Sequence, residues 1–128
     1  MSNWRAGTRG DRGSTAIGVA LALPVLFAII FLAVQAGLWF FARSVVHAAA
    51  QEGARVSAAR DASLQSGLDT ASAFAGRVGG TMLVGVTVSG ERSGTSTTVT
   101  VTGQTVRLMP LMDLQVSQSA TLPVERLT

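Results

Sequence analysis

The feature that most constrains this chain is the absence of any ionisable side chain between Arg12 and Arg43. Within that interval, the residues from Ala16 to Phe41 are apolar except for Gln35. About 20 such residues in an α-helix cross the roughly 30 Å of hydrocarbon in a bilayer. Only a helix or a closed barrel satisfies its own backbone in lipid, and one isolated segment cannot close a barrel. The stretch therefore predicts a transmembrane helix, which we place at residues 14–42.

Composition excludes several other classes of protein. The chain has 128 residues, of which 48% are hydrophobic and 13% charged, and it has no cysteine. Its mean hydropathy is +0.42. This length allows one domain beside an anchor, and the lack of cysteine excludes disulfide scaffolds and thiolate chemistry. The net charge of +3 comes from arginines spread along the chain, so we expect no nucleic-acid partner.

Local features refine the predicted membrane helix. Pro24 removes a backbone donor, which leaves the Ala20 carbonyl without its helical partner and predicts a bend. An aromatic belt at the membrane surface is indicated by Trp39, Phe40 and Phe41. Small residues at four-residue spacing either permit close helix packing or simply reflect an alanine-rich helix. The spaced residues are Gly18 and Ala22, Ala33 and Gly37, Ala49 and Gly53, and the run Ala50, Ala54 and Ala58.

The distribution of charge does not decide the orientation of the helix in the membrane. Arginines lie close to the predicted span on both sides, so their count discriminates little between the two orientations. We predict that the short basic segment 1–13 is a cytoplasmic leader and that residues 62–128 form an extracytoplasmic domain in a single-pass cell-membrane protein. A cleaved secretory signal is the alternative, although its apolar region normally spans only about 7–15 residues.

After the span, the pattern stays helical and then changes to that of strands. Residues 43–61 continue the helix outward, with Gly53 as the only breaker. Asp61 and Ser63 offer N-caps for a second helix, which Gly79 and Gly80 end. Its apolar stripe consists of Leu64, Leu68, Ala71, Ala75 and Val78.

The last third of the chain alternates with a period of two. Val84, Val86 and Val88 form one strand, residues 89–94 a turn, and Val99 and Val101 a second strand. A third strand places Leu114, Val116, Ala120 and Leu122 on one face and ends at Pro123. We predict an α+β, pilin-like fold: a long N-terminal transmembrane helix that continues as a soluble helix, a second short helix, and an antiparallel sheet of three to four strands. The outer half of the long helix or the second helix must cover the sheet.

Several short motifs resemble the TadE-like proteins of Tad (Flp-type) pilus assembly systems. They are Arg12-Gly13 before an uncharged start, Pro24 within the apolar run, the aromatic end with Arg43, the AAAQEGAR stretch from Ala48 to Arg55, and SATLPVER from Ser119 to Arg126. The resemblance implies a pseudopilin that a prepilin peptidase cuts between Gly13 and Ser14. The fifth mature residue would then be Gly18, where the family has glutamate, and a later acidic position of the family is Gln35.

Catalytic chemistry finds little support in the sequence. His47 is the only histidine, and the seven acidic residues do not cluster at metal-ligand or paired-carboxylate spacing. We therefore expect no catalytic, cofactor or metal site. Glu52 and Arg55 either form an exposed helix pair or fix the register of a flat patch at Gly53 and Ala54, against which a partner helix or the sheet packs.

These observations lead to one functional prediction and two alternatives. The predicted function is a non-enzymatic, membrane-anchored pseudopilin-like subunit for assembly of a Tad/Flp-type pilus or a related secretion apparatus. Its expected partners are the lipid bilayer, other pilin-like or Tad assembly subunits in a hetero-oligomer, and a prepilin peptidase. The alternatives are a membrane-tethered extracytoplasmic binding module outside any pilus and a secreted protein released by signal cleavage.

Overall fold

The computed structural model describes residues 2–106 and 114–125, with side chains for residues 13–106 and 114–125. In this part of the chain, two α-helices precede a three-stranded antiparallel sheet in the order β1-β2-β3. The elements are α1 (Ser2–Ala58), α2 (Leu64–Gly79), a 3-10 turn (Gly80–Met82), β1 (Leu83–Arg92), β2 (Ser96–Thr105) and β3 (Gln115–Pro123). The predicted α+β, pilin-like fold is confirmed.

Helix α1 belongs to both compact units of the chain, residues 1–34 and 35–128. In the first unit its large apolar side chains from Ile17 to Val34 are 47–66% exposed. The helix is long and apolar enough to cross a membrane, as a single-pass membrane protein requires. It continues through Pro24 and past residue 43 to Ala58.

In the second unit, one side of α1 is buried in the hydrophobic core from Ala42 onward. The buried face consists of small residues, so the helix lies close to the sheet. Both elements that the sequence offered as a cover are used, because α2 contributes to the same core. The cluster is Ala42, Val45, Val46, Ala49, Ala50 and Ala54 of α1, Ala71 and Ala75 of α2, and Leu83, Val99, Val101 and Val116 of the sheet.

Helix α2 begins and ends as the sequence predicts, with one error in its apolar stripe. The Ser63 hydroxyl accepts a hydrogen bond from the Ser66 amide at 3.1 Å, and the two serines form a capping box. Val78, however, is 43% exposed. At this end of α2, the residue that contacts the sheet is Gly79 instead of Val78. A Cβ added to Gly79 would lie 2.8 Å from Leu83 Cβ.

Strand β1 differs from its prediction at both ends. It continues to Arg92, so most of the predicted turn at residues 89–94 is strand and the connection to β2 is shorter. At the other end, the pairing with β2 shifts between Val84 and Thr87. Gly85 lies there with a φ of 63°, as in a β-bulge. Val84, before the bulge, is 44% exposed, whereas Val86 and Val88, after it, pack against the core.

The outer face of the sheet is a grid of hydroxyl groups. Three threonine hydroxyls of β2 on this face bond to hydroxyls of β3: Thr98 to Thr121 at 2.8 Å, Thr100 to Ser119 at 2.7 Å, and Thr102 to Ser117 at 3.0 Å. The opposite face carries Val99, Val101 and Val116 into the core. The alternation of β2 and β3 therefore separates a polar surface from an apolar one.

Candidate functional site

The two helices approach each other closely at Gly53, within the AAAQEGAR stretch. A Cβ added to Gly53 would lie 2.7 Å from the carbonyl oxygen of Gly67 and 2.8 Å from Ala71 Cβ. A Cβ added to Gly67 would likewise lie 2.6 Å from the Gly53 carbonyl oxygen. The two glycines therefore allow α1 and α2 to cross with their backbones in contact. Ala54 is fully buried beside them.

Gly67 was missed in the sequence reading. The signal was present, because an isolated glycine inside a helical pattern lowers helix stability and usually has a packing reason. The patch predicted at Gly53 and Ala54 packs within this chain, against α2 and β2, since Val99 Cγ1 lies 3.2 Å from the Cβ position of Gly53.

The C-terminal end of α1 is fixed by polar contacts from three directions. The Ser57 and Thr97 hydroxyls lie 2.6 Å apart in the core. Arg92 Nε donates to the Ser57 carbonyl oxygen at 2.9 Å, and the Glu125 amide donates to the Ala58 carbonyl oxygen at 2.9 Å. These donors satisfy carbonyl groups that a helix end leaves without helical partners. The segment after β3 is thus tied to α1.

Gln35 is a second residue whose role the sequence reading missed. Its side chain is only 2% exposed. Its Nε2 donates to Thr105 Oγ1 at 3.2 Å and to the Val106 carbonyl oxygen at 3.3 Å. Gln35 therefore links α1 to the end of β2, instead of acting as a polar residue within the apolar run. Its isolation as the only amide in that run was the available signal.

Glu52 and Arg55 form the pair that the sequence predicts, and they lie on the surface. Arg55 Nη1 and Glu52 Oε2 are 3.2 Å apart, with side-chain exposures of 70% and 39%. Such an exposed pair contributes little to stability.

A shallow groove runs between the exposed side of α1 and the edge strand β3, and we call it the flank groove. One part, of about 250 Å³, is lined by Phe40, Arg43, Ser44, His47 and Gln118. The other, of about 360 Å³, is lined by His47, Gln51, Arg55 and the β3 residues Ser119, Ala120, Thr121 and Leu122. His47 borders both parts, and Arg43 and Arg55 give the groove a positive charge.

Gly13, Ser14, Gly18 and Gly37, predicted for processing and membrane packing, do not line this groove. Gly13, Gly18 and Gly37 have no atom within 4 Å of an added Cβ. Ser14 is also exposed. The structure therefore brings Gly53 and Ala54 together in the core and leaves Gly37 open on the surface of α1.

Within residues 13–106 and 114–125, no group of three or more His, Asp or Glu side chains could hold a metal ion. His47 borders the flank groove on the exposed side of α1. The acidic residue nearest to it in sequence is Glu52, and that carboxylate is bonded to Arg55.

Comparison with known proteins agrees with the N-terminal motifs. A family model described as TadE-like protein matches residues 13–55. No curated protein and no solved structure matches the chain. The matched segment extends from the predicted cleavage position to the end of the AAAQEGAR stretch. The predicted resemblance is thus confirmed over residues 13–55, where the chain matches the TadE-like protein family.

Proposed function

We propose that this protein is a membrane-anchored, non-enzymatic pseudopilin-like subunit for assembly of a Tad/Flp-type pilus or a related secretion apparatus. The observation that carries the proposal is helix α1 itself. Its first part exposes apolar side chains, and its outer part supplies much of the core of the sheet domain. The match of residues 13–55 to the TadE-like family model supports a role in Tad pilus assembly.

Assembly acts through the exposed side of α1. Gly37 leaves room for close approach of a partner helix, and Ala33 lies one turn before it on the same side. Farther along, the flank groove presents Arg43 and Arg55, which favour an acidic segment of a neighbouring subunit. The partners are other pilin-like or Tad assembly subunits in a hetero-oligomer.

Crosslinking in the native host tests this assembly surface. The chain has no cysteine, so single substitutions Ala33→Cys and Gly37→Cys introduce unique thiols. We expect crosslinks from both positions to other assembly subunits, and loss of surface pili in a gene deletion. Gly76→Cys, on an exposed part of α2 with open space around it, is the matched control. Unchanged pili in the deletion strain would contradict the assembly role.

The chain is oriented with its N-terminus in the cytoplasm and its sheet domain outside. A membrane-impermeant maleimide applied to intact cells should label Thr100→Cys on the outer face of the sheet and should leave Thr8→Cys unlabelled. The reverse pattern would overturn this orientation. Labelling of both positions after cell lysis is the control for reactivity.

Processing by a prepilin peptidase cleaves the chain between Gly13 and Ser14. Gly18 takes the place of the family glutamate at the fifth mature position, so contact with a neighbouring subunit's amino terminus relies on packing without a buried carboxylate. Mass spectrometry of the protein from native membranes should show loss of the first thirteen residues. An intact N-terminus would remove processing from the proposal and leave anchoring unaffected.

A further inference from the structure

Strand β3 points a row of backbone groups away from β2. At one end of the pairing, the Thr105 amide donates to the Leu114 carbonyl oxygen at 3.2 Å, and at the other end the Val124 amide donates to the Thr95 carbonyl oxygen at 3.0 Å. The register between these bonds is continuous. Successive residues of an antiparallel strand point their backbone groups alternately toward and away from the neighbouring strand. The even-numbered residues of β3 therefore bond to β2, and the odd-numbered residues point their amides and carbonyls outward.

The outward groups belong to exposed residues at the edge of the sheet. Ser117, Ser119 and Thr121 are exposed, and their hydroxyls are already bonded to threonines of β2. In the described sheet, no strand lies beyond β3. The backbone amides and carbonyls of these three residues are therefore placed to pair with an additional strand, as in peptide recognition by strand addition.

Strand β3 lacks the features that usually protect an edge from pairing, which are charged side chains, internal prolines and bulges. None of its nine residues is charged, and its only proline is the last residue, Pro123. Edge strand β1, in contrast, has an irregular register near Gly85 and ends with Glu91 and Arg92. Of the two edges of the described sheet, β3 is the one suited to accept a strand.

The flank groove gives this edge positively charged surroundings. Arg43 and His47 are exposed, and Arg43 Cζ lies 5.6 Å from the centroid of the Trp39 ring. Arg55 is bonded to Glu52, yet its side chain is 70% exposed. No acidic side chain is among the described residues that line either part of the groove. A strand added to β3 would pass these arginines, so acidic side chains on its groove side are favoured.

The described strands of a second copy do not supply such a segment. Their only acidic residue is Glu91, which pairs with Thr98. Thr98 carries its hydroxyl on the outer face of the sheet, and residues directly opposite each other share a face. Glu91 therefore lies on the outer face, away from the core side of the sheet. The charge of the flank groove thus favours a segment of a different polypeptide.

We infer that β3 accepts an extended acidic segment of a second assembly subunit as the fourth strand of the sheet. That the partner is an assembly subunit rests on the proposed function, whereas the mode of binding rests on β3 and the flank groove. Arg43 and Arg55 are about 18 Å apart along α1. Two carboxylates six residues apart on a strand lie on one face and about 20 Å apart, so this spacing matches the two arginines.

A synthetic strand tests this mode of binding on the full chain in zwitterionic detergent micelles. The probe is a blocked nine-residue peptide with glutamate at its second and eighth positions, valine at its fourth and sixth, and threonine elsewhere. We expect it to shift the NMR amide signals of Ser117, Ser119 and Thr121. A control peptide with lysine in place of both glutamates should bind at least about tenfold more weakly, because two charge pairs are reversed.

Two substitutions at one position separate strand addition from contact with side chains. Ser119→Pro removes an outward amide without removing a bond to β2, and proline is tolerated at such edge positions. It should abolish the peptide-induced shifts at Ser117 and Thr121. Ser119→Ala keeps the amide and should retain these shifts. Circular dichroism verifies that both variants fold.

A charge-reversed variant supplies a readout that leaves the backbone of β3 unchanged. The double variant Arg43→Glu with Arg55→Glu should bind the lysine peptide in preference to the glutamate peptide. An unchanged preference for glutamate would contradict binding along the flank groove.

Crosslinking in the native host tests the identity of the partner. Ser117→Cys should crosslink to an assembly subunit, and the crosslink should disappear when Ser119→Pro is added, while crosslinks from Gly37→Cys remain. Crosslinks from Gly37→Cys without any from Ser117→Cys would overturn the assembly subunit as the source of the added strand.

The outcomes separate failure of strand addition from failure of the proposed function. If the glutamate peptide does not shift the edge amides, or if its shifts persist in Ser119→Pro, the inference is wrong whatever the effect of gene deletion on pili. Edge shifts that depend on protein concentration without peptide would show that a second copy pairs with β3, and would also overturn it. Peptide binding by a protein whose deletion leaves pili unchanged would support strand addition and contradict the assembly role.

Discussion

At the scale of single residues, Gly53 shows why a position within the matched segment 13–55 requires a residue without a side chain. Its Cβ position is occupied on two sides by rigid groups, the Gly67 carbonyl oxygen and Ala71 Cβ. A backbone oxygen and a methyl carbon on a packed helix cannot move aside as the end of a flexible side chain can. The position therefore constrains helix crossing more tightly than burial alone would.

We expect Gly53→Ala to lower the free energy of unfolding by about 1–3 kcal/mol, because the added methyl group overpacks the helix crossing. The measurement is denaturant unfolding of the full chain in detergent micelles, followed by circular dichroism. Gly76→Ala is the matched control, since open space surrounds Gly76 and alanine raises helix propensity. Equal stability of the two variants would show that α1 and α2 do not cross at Gly53.

The bond between Gln35 and Thr105 can be tested with a double-mutant cycle. Gln35→Leu and Thr105→Val should each lower the free energy of unfolding by about 1–3 kcal/mol, because each leaves a buried polar partner with a lost bond. The double variant should cost less than the two single variants together. Strict additivity would mean that the two side chains do not interact in the folded protein.

At the scale of elements, the start of α2 depends on one side chain. Ser63 accepts from the Ser66 amide, and Ser66 Oγ accepts in turn from the Ser63 amide at 3.3 Å. This reciprocal pair closes the first turn of a helix whose buried face is made of small residues. The cap therefore contributes a larger share of the stability of α2 than it would in a leucine-rich helix.

We expect Ser63→Ala to lower the free energy of unfolding by about 0.5–2 kcal/mol through loss of this cap. Ser72→Ala, at an exposed position inside α2, should have little effect or stabilise slightly. Hydrogen exchange at the amides of residues 65–67 should accelerate only in the Ser63 variant. Acceleration of similar size in both variants would contradict the capping role.

The elements were predictable where one periodicity extends over many residues, and not where a local contact overrides it. The apolar run, the Ser63 cap and the alternation about Val99 and Val101 are properties of the sequence itself. The bulge at Gly85 inserts one residue and reverses the face of Val84, which alternation cannot foresee. Exposure of Val78 results from the contact between Gly79 and Leu83.

The candidate site was predictable to a smaller extent. The sequence motif drew attention to Gly53, Ala54, Glu52 and Arg55, and the structure separates a buried pair from an exposed pair. The partner of Gly53, which is Gly67, and the bond of Gln35 to Thr105 join residues far apart in the sequence. Such contacts depend on how α1, α2 and the sheet fold together, so helix and strand periodicity do not reveal them.

At the scale of the whole molecule, the sheet domain and the outer part of α1 form one cooperative unit. Half of the buried core residues, from Ala42 to Ala54, come from α1, and the end of this helix is bonded to Arg92 and Glu125. Without α1, the inner face of β2 would lose much of its cover. A sheet of three strands with an uncovered apolar face is marginal in water.

Truncation tests this dependence and distinguishes the pseudopilin-like function from a tethered binding module. A fragment of residues 35–128 should unfold cooperatively, whereas a fragment of residues 62–128 should lack dispersed amide signals in its NMR spectrum. The physical reason is loss of the core residues that α1 supplies. A folded, ligand-binding fragment 62–128 would instead support the binding module.

The hydroxyl grid on the outer face of the sheet also affects how copies of this protein can crowd together. Its hydroxyl groups bond between β2 and β3, so this part of the face presents polar groups to solvent. This face is therefore suited to stay hydrated when copies of the protein lie side by side. Thr100, which lies on it, is a convenient position for attaching a dye or an affinity tag.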